Sequence, residues 1–205
     1  MTQTATVLRT GRKFDQVLRG AREVFMADGF EGASVDDIAR AAGVSKATLY
    51  SYFPDKRLLF VEVAQTECDL MAERVISMVD MDKPAREVLM ITAKQLTAFL
   101  LSDFTQQVFR ICVAESDRFP ELARAYYESG PRKGQCHLAE YLGKAVAKSE
   151  LVIEDVQMAA EQFVELCKVR MWERAVFGIQ RDFSPADIDE VALQAVDMFM
   201  AKYGV

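Results

Sequence analysis

Histidine and tryptophan occur once each in this 205-residue chain, and proline only five times. A single histidine leaves His-dependent acid–base chemistry few candidates. The sequence also contains no GxSxG, no phosphate loop, no GxGxxG and no HExxH, so the common nucleophile, nucleotide and zinc-peptidase motifs are missing. No enzymatic activity is expected. The four cysteines (Cys68, Cys112, Cys136 and Cys167) form no CxxC and lie in apolar, helical-looking segments, where reduced core thiols are the expectation. Cys136-His137 is the one Cys/His neighbour pair, too few ligands for a metal site, and neither metal nor cofactor is expected. No charge-free run exceeds eight residues, where a membrane helix needs roughly 20. The start, MTQTATVLRTGRK, lacks the apolar core of a secretory signal. A cytoplasmic protein with no membrane partner is expected.

What is present is 51% hydrophobic and 27% charged, the balance of a globular chain. The net charge of −6 is unevenly spread. Residues 1–57 carry nine Lys/Arg and seven Asp/Glu, a net +2, which leaves −8 on the remainder. A basic head on an acidic body suits a protein that meets nucleic acid at one end only. Arg9, Arg12 and Lys13 could form an arm reaching a phosphate or minor groove, although a frayed, solvated end explains them equally well.

From Gly11 to Asp28, Phe14, Val17, Leu18, Ala21, Val24 and Phe25 recur at helical spacing. They fall within about 120° of arc, a one-sided core face. Gly29 supplies a stop, and Phe30 can fold back on the last turn. Ser34 followed by Asp37 predicts a capped helix in which Val35, Ile38, Ala39, Ala41 and Ala42 share an arc. Gly43 ends it and Ser45 caps the next. In that third helix Leu49 and Phe53 must point inward together, leaving Lys46, Ala47, Tyr50 and Ser51 outward with Thr48 and Tyr52 on the flanks. Two outward tyrosines and a small alanine suit a helix meant for a major groove. Pro54 and Asp55 then open a fourth helix, whose first-turn amides and Lys56 ammonium offer a phosphate site. The DNA-contacting set predicted is therefore Ser34, Ser45, Lys46, Ala47, Thr48, Tyr50, Ser51, Tyr52 and Lys56.

The string IARAAGVSKATLYSYFPDKRLLF, within residues 11–60, resembles the DNA-binding domain of TetR-family transcriptional regulators almost position by position. The departures are Ala47, where glycine is common, and Ser51, where histidine is common; they bear on the operator sequence, not on the motif. RICVAESDRFPELARAYYESGP further resembles the AefR-like subgroup of bodies. The resemblance implies an all-α fold: a three-helix helix-turn-helix domain over 1–56 and an all-helical ligand-binding and dimerisation domain over 57–205. It also implies a homodimer assembled through the last two long helices.

Beyond Leu58 the periodicity predicts helices throughout, with no strand-period segment or internal repeat. Expected helices include Pro120–Ser129, Arg132–Lys148, one long helix over roughly Glu154–Phe177, and a last one opened by Ser184-Pro185. The final two look two-faced. Apolar residues of Ile188–Met200 spread over about 220°, more than one core contact uses. In 156–177 one stripe holds Val156, Phe163, Val164, Leu166, Cys167, Met171 and Phe177; the other holds Met158, Val169, Trp172 and Val176. A dimer interface through Met158, Val169, Val176, Val191, Ala195 and Met198 is predicted, the alternative being helices buried on all sides in one chain. Arg170 and Arg174 fall in the inward stripe, either anchoring an effector, pairing with Glu115, Asp117 or Glu161, or snorkelling their charged ends out to water. Phe104, Phe109, Tyr127, Phe163, Cys167, Arg170 and Trp172 are the candidate pocket residues, with plain core as the competing explanation for the aromatics.

The reading that follows is a ligand-responsive regulator binding a palindromic operator in double-stranded DNA as a homodimer, a repressor released by a small-molecule effector. The alternatives are an activator of the same fold and a helical ligand binder without DNA binding.

Overall fold

The computed structural model describes residues 11–78 and 83–205. The predicted arm at Arg9 lies outside them. The architecture is all-α, with eleven helices among the described residues and a single isolated antiparallel bridge, Leu151 to Gly204. None of these helices is long and apolar enough to cross a membrane. The chain divides into two compact units. One runs to Glu67 and takes in Ile111–Tyr126; the other comprises Cys68–Arg110 and Tyr127–Val205.

In the first unit, α1 (Arg12–Gly32) buries Phe14, Val17, Ala21, Val24 and Phe25 of the predicted face, while Leu18 is only half-buried. Gly29 interrupts it at φ 71 and ψ 179, a backbone conformation open only to glycine. That break lets Phe30 turn back, stacking on Phe25 with centroids 6.0 Å apart and meeting Phe60 edge-on at 5.2 Å. The second helix, α2 (Val35–Ala42), packs Ile38, Ala39 and Ala42 against α1. Gly20 makes this possible, because a Cβ there would lie 2.5 Å from the Ala42 amide nitrogen. Next come α3 (Lys46–Tyr52) and α4 (Lys56–Met78). Buried Phe53 closes α3 and stacks on Phe14 at 5.5 Å.

The second unit takes the far half of α4, all of α5 (Ala85–Leu101), the start of α6 (Asp103–Ala114) and the end of α7 (Pro120–Ser129). It is completed by α8 (Pro131–Ala147), α9 (Val156–Leu166), α10 (Trp172–Val176) and α11 (Pro185–Tyr203). Here α11 packs on α5 and α9, and α8 on α9. The core joins Leu89, Leu142, Phe163, Val196 and Phe199, with Phe163 and Phe199 edge-on at 5.1 Å. Small residues (Ala93, Ala159, Ala160, Ala192) let these helices approach closely. Ser184 and Asp187 form a reciprocal capping box with Pro185 at the first turn of α11, the predicted start.

The expected single helix over 154–177 is instead two. After Leu166 the chain passes through turns at Cys167–Met171, with Arg170 at φ +68, before α10 begins. A periodicity counted at 100° per residue loses its phase across such a break. The prediction of four core thiols is also corrected: Cys112 and Cys167 are buried, whereas Cys68 is half-buried and Cys136 exposed. Burial pushes the Cys112 and Cys167 thiols up to about 12.

Candidate nucleic-acid interface and effector-binding region

The geometry of α2 and α3 begins with their caps. Ser34 accepts a hydrogen bond from the Asp37 amide at 3.1 Å and donates its own proton to the Asp37 carboxylate. Those contacts and the Arg40 guanidinium hold Asp37 below the ordinary carboxylate range. At the other end Gly43 takes φ 63 and ψ 34, and the Val44 amide reaches back to the Ala39 carbonyl at 3.0 Å. The Gly43 amide bonds to the Arg40 carbonyl at 3.1 Å, completing a Schellman stop that turns the chain within two residues. Ser45 then accepts from the Thr48 amide at 3.1 Å and starts α3.

Leu49 is buried inward from α3, and Lys46, Ala47, Tyr50 and Ser51 lie exposed on the other side. Tyr50 is 47% exposed. Thr48 and Tyr52 are half-buried on the flanks, the Tyr52 ring meeting Phe14 edge-on at 5.8 Å. Ser51 donates to the Thr48 carbonyl at 2.7 Å. A contact invisible in the periodicity is Lys46 Nζ on the Asp36 carboxylate at 2.6 Å, which ties α3 to α2 and holds the ammonium above its ordinary pKa. Both partners are exposed, and such pairs exchange readily for a stronger anion.

Lys56 departs from expectation. Its ammonium donates to the Phe30 carbonyl at 2.6 Å and the Ala33 carbonyl at 3.0 Å, and sits 4.5 Å from the Phe30 ring centroid. It thereby satisfies carbonyls left open where α1 ends, and fastens the foot of α4 there. Lys56 is a structural fastening rather than a free phosphate ligand. Asp55 caps α4 by accepting from the Arg57 amide at 2.8 Å.

The seven predicted pocket residues do not converge. Phe163 and Cys167 are buried core, and Phe104 is buried in α6. Phe109 and Trp172 pack edge-on at 4.9 Å. Tyr127 is exposed. The Arg170 side chain is 71% exposed and pairs with Glu190 at 3.2 Å, and Arg174 is exposed beside Gln180. Both arginines were predicted inward because the helix was carried unbroken through Cys167–Met171. Their partners are therefore none of Glu115, Asp117 or Glu161. Of the predicted interface, Met158, Val169 and Met198 are exposed and Val176 is half-buried. Val191 and Ala195 are corrected: they are buried within the chain's own core, where α11 packs on α5 and α9.

Sequence reasoning missed a polar cavity of about 40 Å³ in the second unit, lined mainly by Asp103, Gln106, Gln107, Arg110, Ala175 and Arg181. No local motif marks its glutamines and arginine. Among the described residues no cluster of three His, Cys, Asp or Glu is placed to hold a metal.

Two capped helices joined by a glycine turn, with the second exposing one polar and aromatic face, define a helix-turn-helix module. Residues 17–63 match the model of bacterial regulatory proteins of the tetR family, and residues 87–205 match the AefR-like transcriptional repressor C-terminal domain. The chain belongs to the TetR family of transcriptional regulators, which are not enzymes. A TetR-family structure from Mesorhizobium loti superposes over 100% of both chains at 27% identity with a TM-score of 0.87. The flavonoid-responsive regulator FrrA covers 95% of this chain and 98% of its own at 35% identity, with a TM-score of 0.73. The transcriptional repressor AcnR of Corynebacterium efficiens is 38% identical over 60 residues, 29% of this chain. The chain spans about a third (32%) of the length of that curated relative.

Proposed function

We propose that the chain is a DNA-binding repressor that acts as a homodimer on a palindromic operator and is released by a small-molecule effector, in the cytoplasm. Residues 1–56 bind DNA, and 57–205 bind the effector and dimerise. The observation carrying this is the outward face of α3: Lys46, Ala47, Tyr50 and Ser51 exposed on a helix whose other side is locked by Leu49. Ala47 permits close approach to the groove floor, Lys46 exchanges Asp36 for a base edge or phosphate, and the Tyr50 hydroxyl binds a phosphate oxygen. The caps Ser34 and Ser45 sit at helix starts, where backbone amides favour anions.

A dimer is supported by apolar side chains left outward on α9 and α11, Met158, Leu193 and Met198, which are 49%, 42% and 62% exposed. Two copies place two reading helices about 34–36 Å apart, one turn of DNA. The α4 helix is continuous from Lys56 to Met78, so a displacement of its far half is carried to Pro54–Lys56 and alters that spacing. The effector must bind the two spacings unequally for release to follow. Repression is supported by the AefR-like repressor domain and by the repressor AcnR. Responsiveness to a small molecule is supported by the flavonoid-responsive FrrA.

Gel-shift titration on DNA upstream of the gene, at several salt concentrations, tests this reading. A saturable shift weakening steeply with salt is expected. No shift at low salt, or binding indifferent to salt, leaves a helical ligand binder instead.

A further inference from the structure

The outward face of α3 is poor in side chains that tell one base from another. Its sequence, KATLYSY, contains no Asn or Gln to pair with adenine, no Asp or Glu to accept from the cytosine amino group, and no Arg. Its serine and threonine hydroxyls, with that of the cap, are already engaged. Ser45 Oγ and Thr48 Oγ1 share a hydrogen bond of 2.9 Å, Ser45 Oγ also accepts from the Thr48 amide at 3.1 Å, and Ser51 Oγ donates to the Thr48 carbonyl at 2.7 Å. A hydroxyl is in any case a weak discriminator, since it donates or accepts as its partner requires.

Two exposed groups remain in the first turn, the Lys46 ammonium and the Ala47 methyl. In a docked helix-turn-helix the first residues of the second helix meet base edges, while the first helix crosses the phosphate backbone. Lys46 and Ala47 are the first two residues of α3, whereas Tyr50 stands a turn further on and Arg40 belongs to α2. In the free protein Lys46 is held by one exposed carboxylate, Asp36, an attachment that a two-acceptor partner displaces at little cost. Guanine sets two acceptors, O6 and N7, side by side in the major groove, whereas adenine places an amino donor beside its N7. The Ala47 methyl offers only apolar contact, and its counterpart in that groove is the 5-methyl group of thymine. Consecutive Cα atoms lie about 3.8 Å apart, close to the roughly 3.4 Å step between bases, so the two contacts fall on neighbouring base pairs.

We propose that α3 selects its operator half-site through two contacts, Lys46 on the O6 and N7 atoms of a guanine and Ala47 on the 5-methyl group of a neighbouring thymine. The proposal rests on the reading of α3 as the DNA-reading helix, and it names the bases that this helix distinguishes.

The test is gel-shift titration on the upstream DNA amplified in three forms: natural, with 7-deazaguanine in place of guanine, and with uracil in place of thymine. The two replacements remove only N7 and the 5-methyl group, both on the major-groove edge. The unaltered chain should bind the 7-deazaguanine duplex about fivefold or more weakly than the natural one, and the uracil duplex about threefold or more weakly, the worth of one buried methyl group. In Lys46→Ala the first ratio should fall to about one while the second persists; in Ala47→Gly the reverse is expected. Thermal denaturation establishes that both variants fold, and a helix merely loosened by glycine weakens all three duplexes alike and keeps both ratios. Equal binding of the three duplexes by the unaltered chain, or either ratio surviving in the variant that should abolish it, overturns the proposal. A salt-sensitive shift with equal ratios would keep DNA binding and remove this assignment of bases; no shift on any duplex at low salt would remove both.

Discussion

The seven residues of α3 and the longer stretch from Val156 to Val176 are built on opposite terms. In α3 both ends are fixed locally. Ser45 caps the start, buried Phe53 closes the end, and one helical period assigns every side chain to a face. The later stretch starts on an equally good cap, Asp155 accepting from the Met158 amide at 2.9 Å, but is broken at Cys167–Met171. Its first part lies against α8 and α11. The turn leaves Arg170 outward, and the second part, α10, has its own phase and leaves Arg174 outward. Local capping sets where a helix starts and stops; tertiary packing decides which way a turn between helices sends the chain.

The sharpest way to stress that contrast is at Phe163, which is fully buried and edge-on to Phe199. Phe163→Ala should cost about 3–5 kcal/mol in denaturant unfolding. A loss below about 1 kcal/mol would mean that this face of α9 is not core. In the head, Gly20→Ala comes next. The added Cβ meets the backbone of Ala42, which cannot step aside as a flexible side chain would. About 1–3 kcal/mol of stability is expected to disappear, with operator affinity falling because α2 no longer seats on α1. Wild-type melting in that variant would contradict the close α1–α2 approach.

Ser45→Ala removes the cap of α3 and should cost about 1 kcal/mol, read by thermal denaturation. The smallest effect has the opposite sign. Arg170 holds φ +68, a left-handed conformation that glycine adopts freely, and its side chain makes only an exposed ion pair. Arg170→Gly should therefore raise stability by roughly 0.5 kcal/mol. A loss above about 1 kcal/mol would point to an unbroken helix there instead, since glycine inside a helix costs that much.

These regions also show what was legible beforehand. The α1–α3 faces, the Ser34 and Ser45 caps and the Gly29 and Gly43 stops are short-range features, and the sequence carries them in the order the backbone needs them. The start of α11 was readable for the same reason, through Ser184, Pro185 and Asp187. What escaped prediction depends on distant partners. Lys56 finds the carbonyls of Phe30 and Ala33, Val191 and Ala195 find neighbouring helices, and Gln106 finds a cavity bordered by Ala175 and Arg181. No window of sequence around those residues contains the partner that sets their role.

The central claim, that α3 reads DNA through the face opposite Leu49, is tested most directly by gel-shift titration of the Lys46→Ala, Tyr50→Ala double variant beside the unaltered chain. Both side chains are exposed, so the variant should melt normally. The account predicts an affinity loss of about tenfold to hundredfold on the upstream DNA. Unchanged affinity in a folded double variant would contradict it.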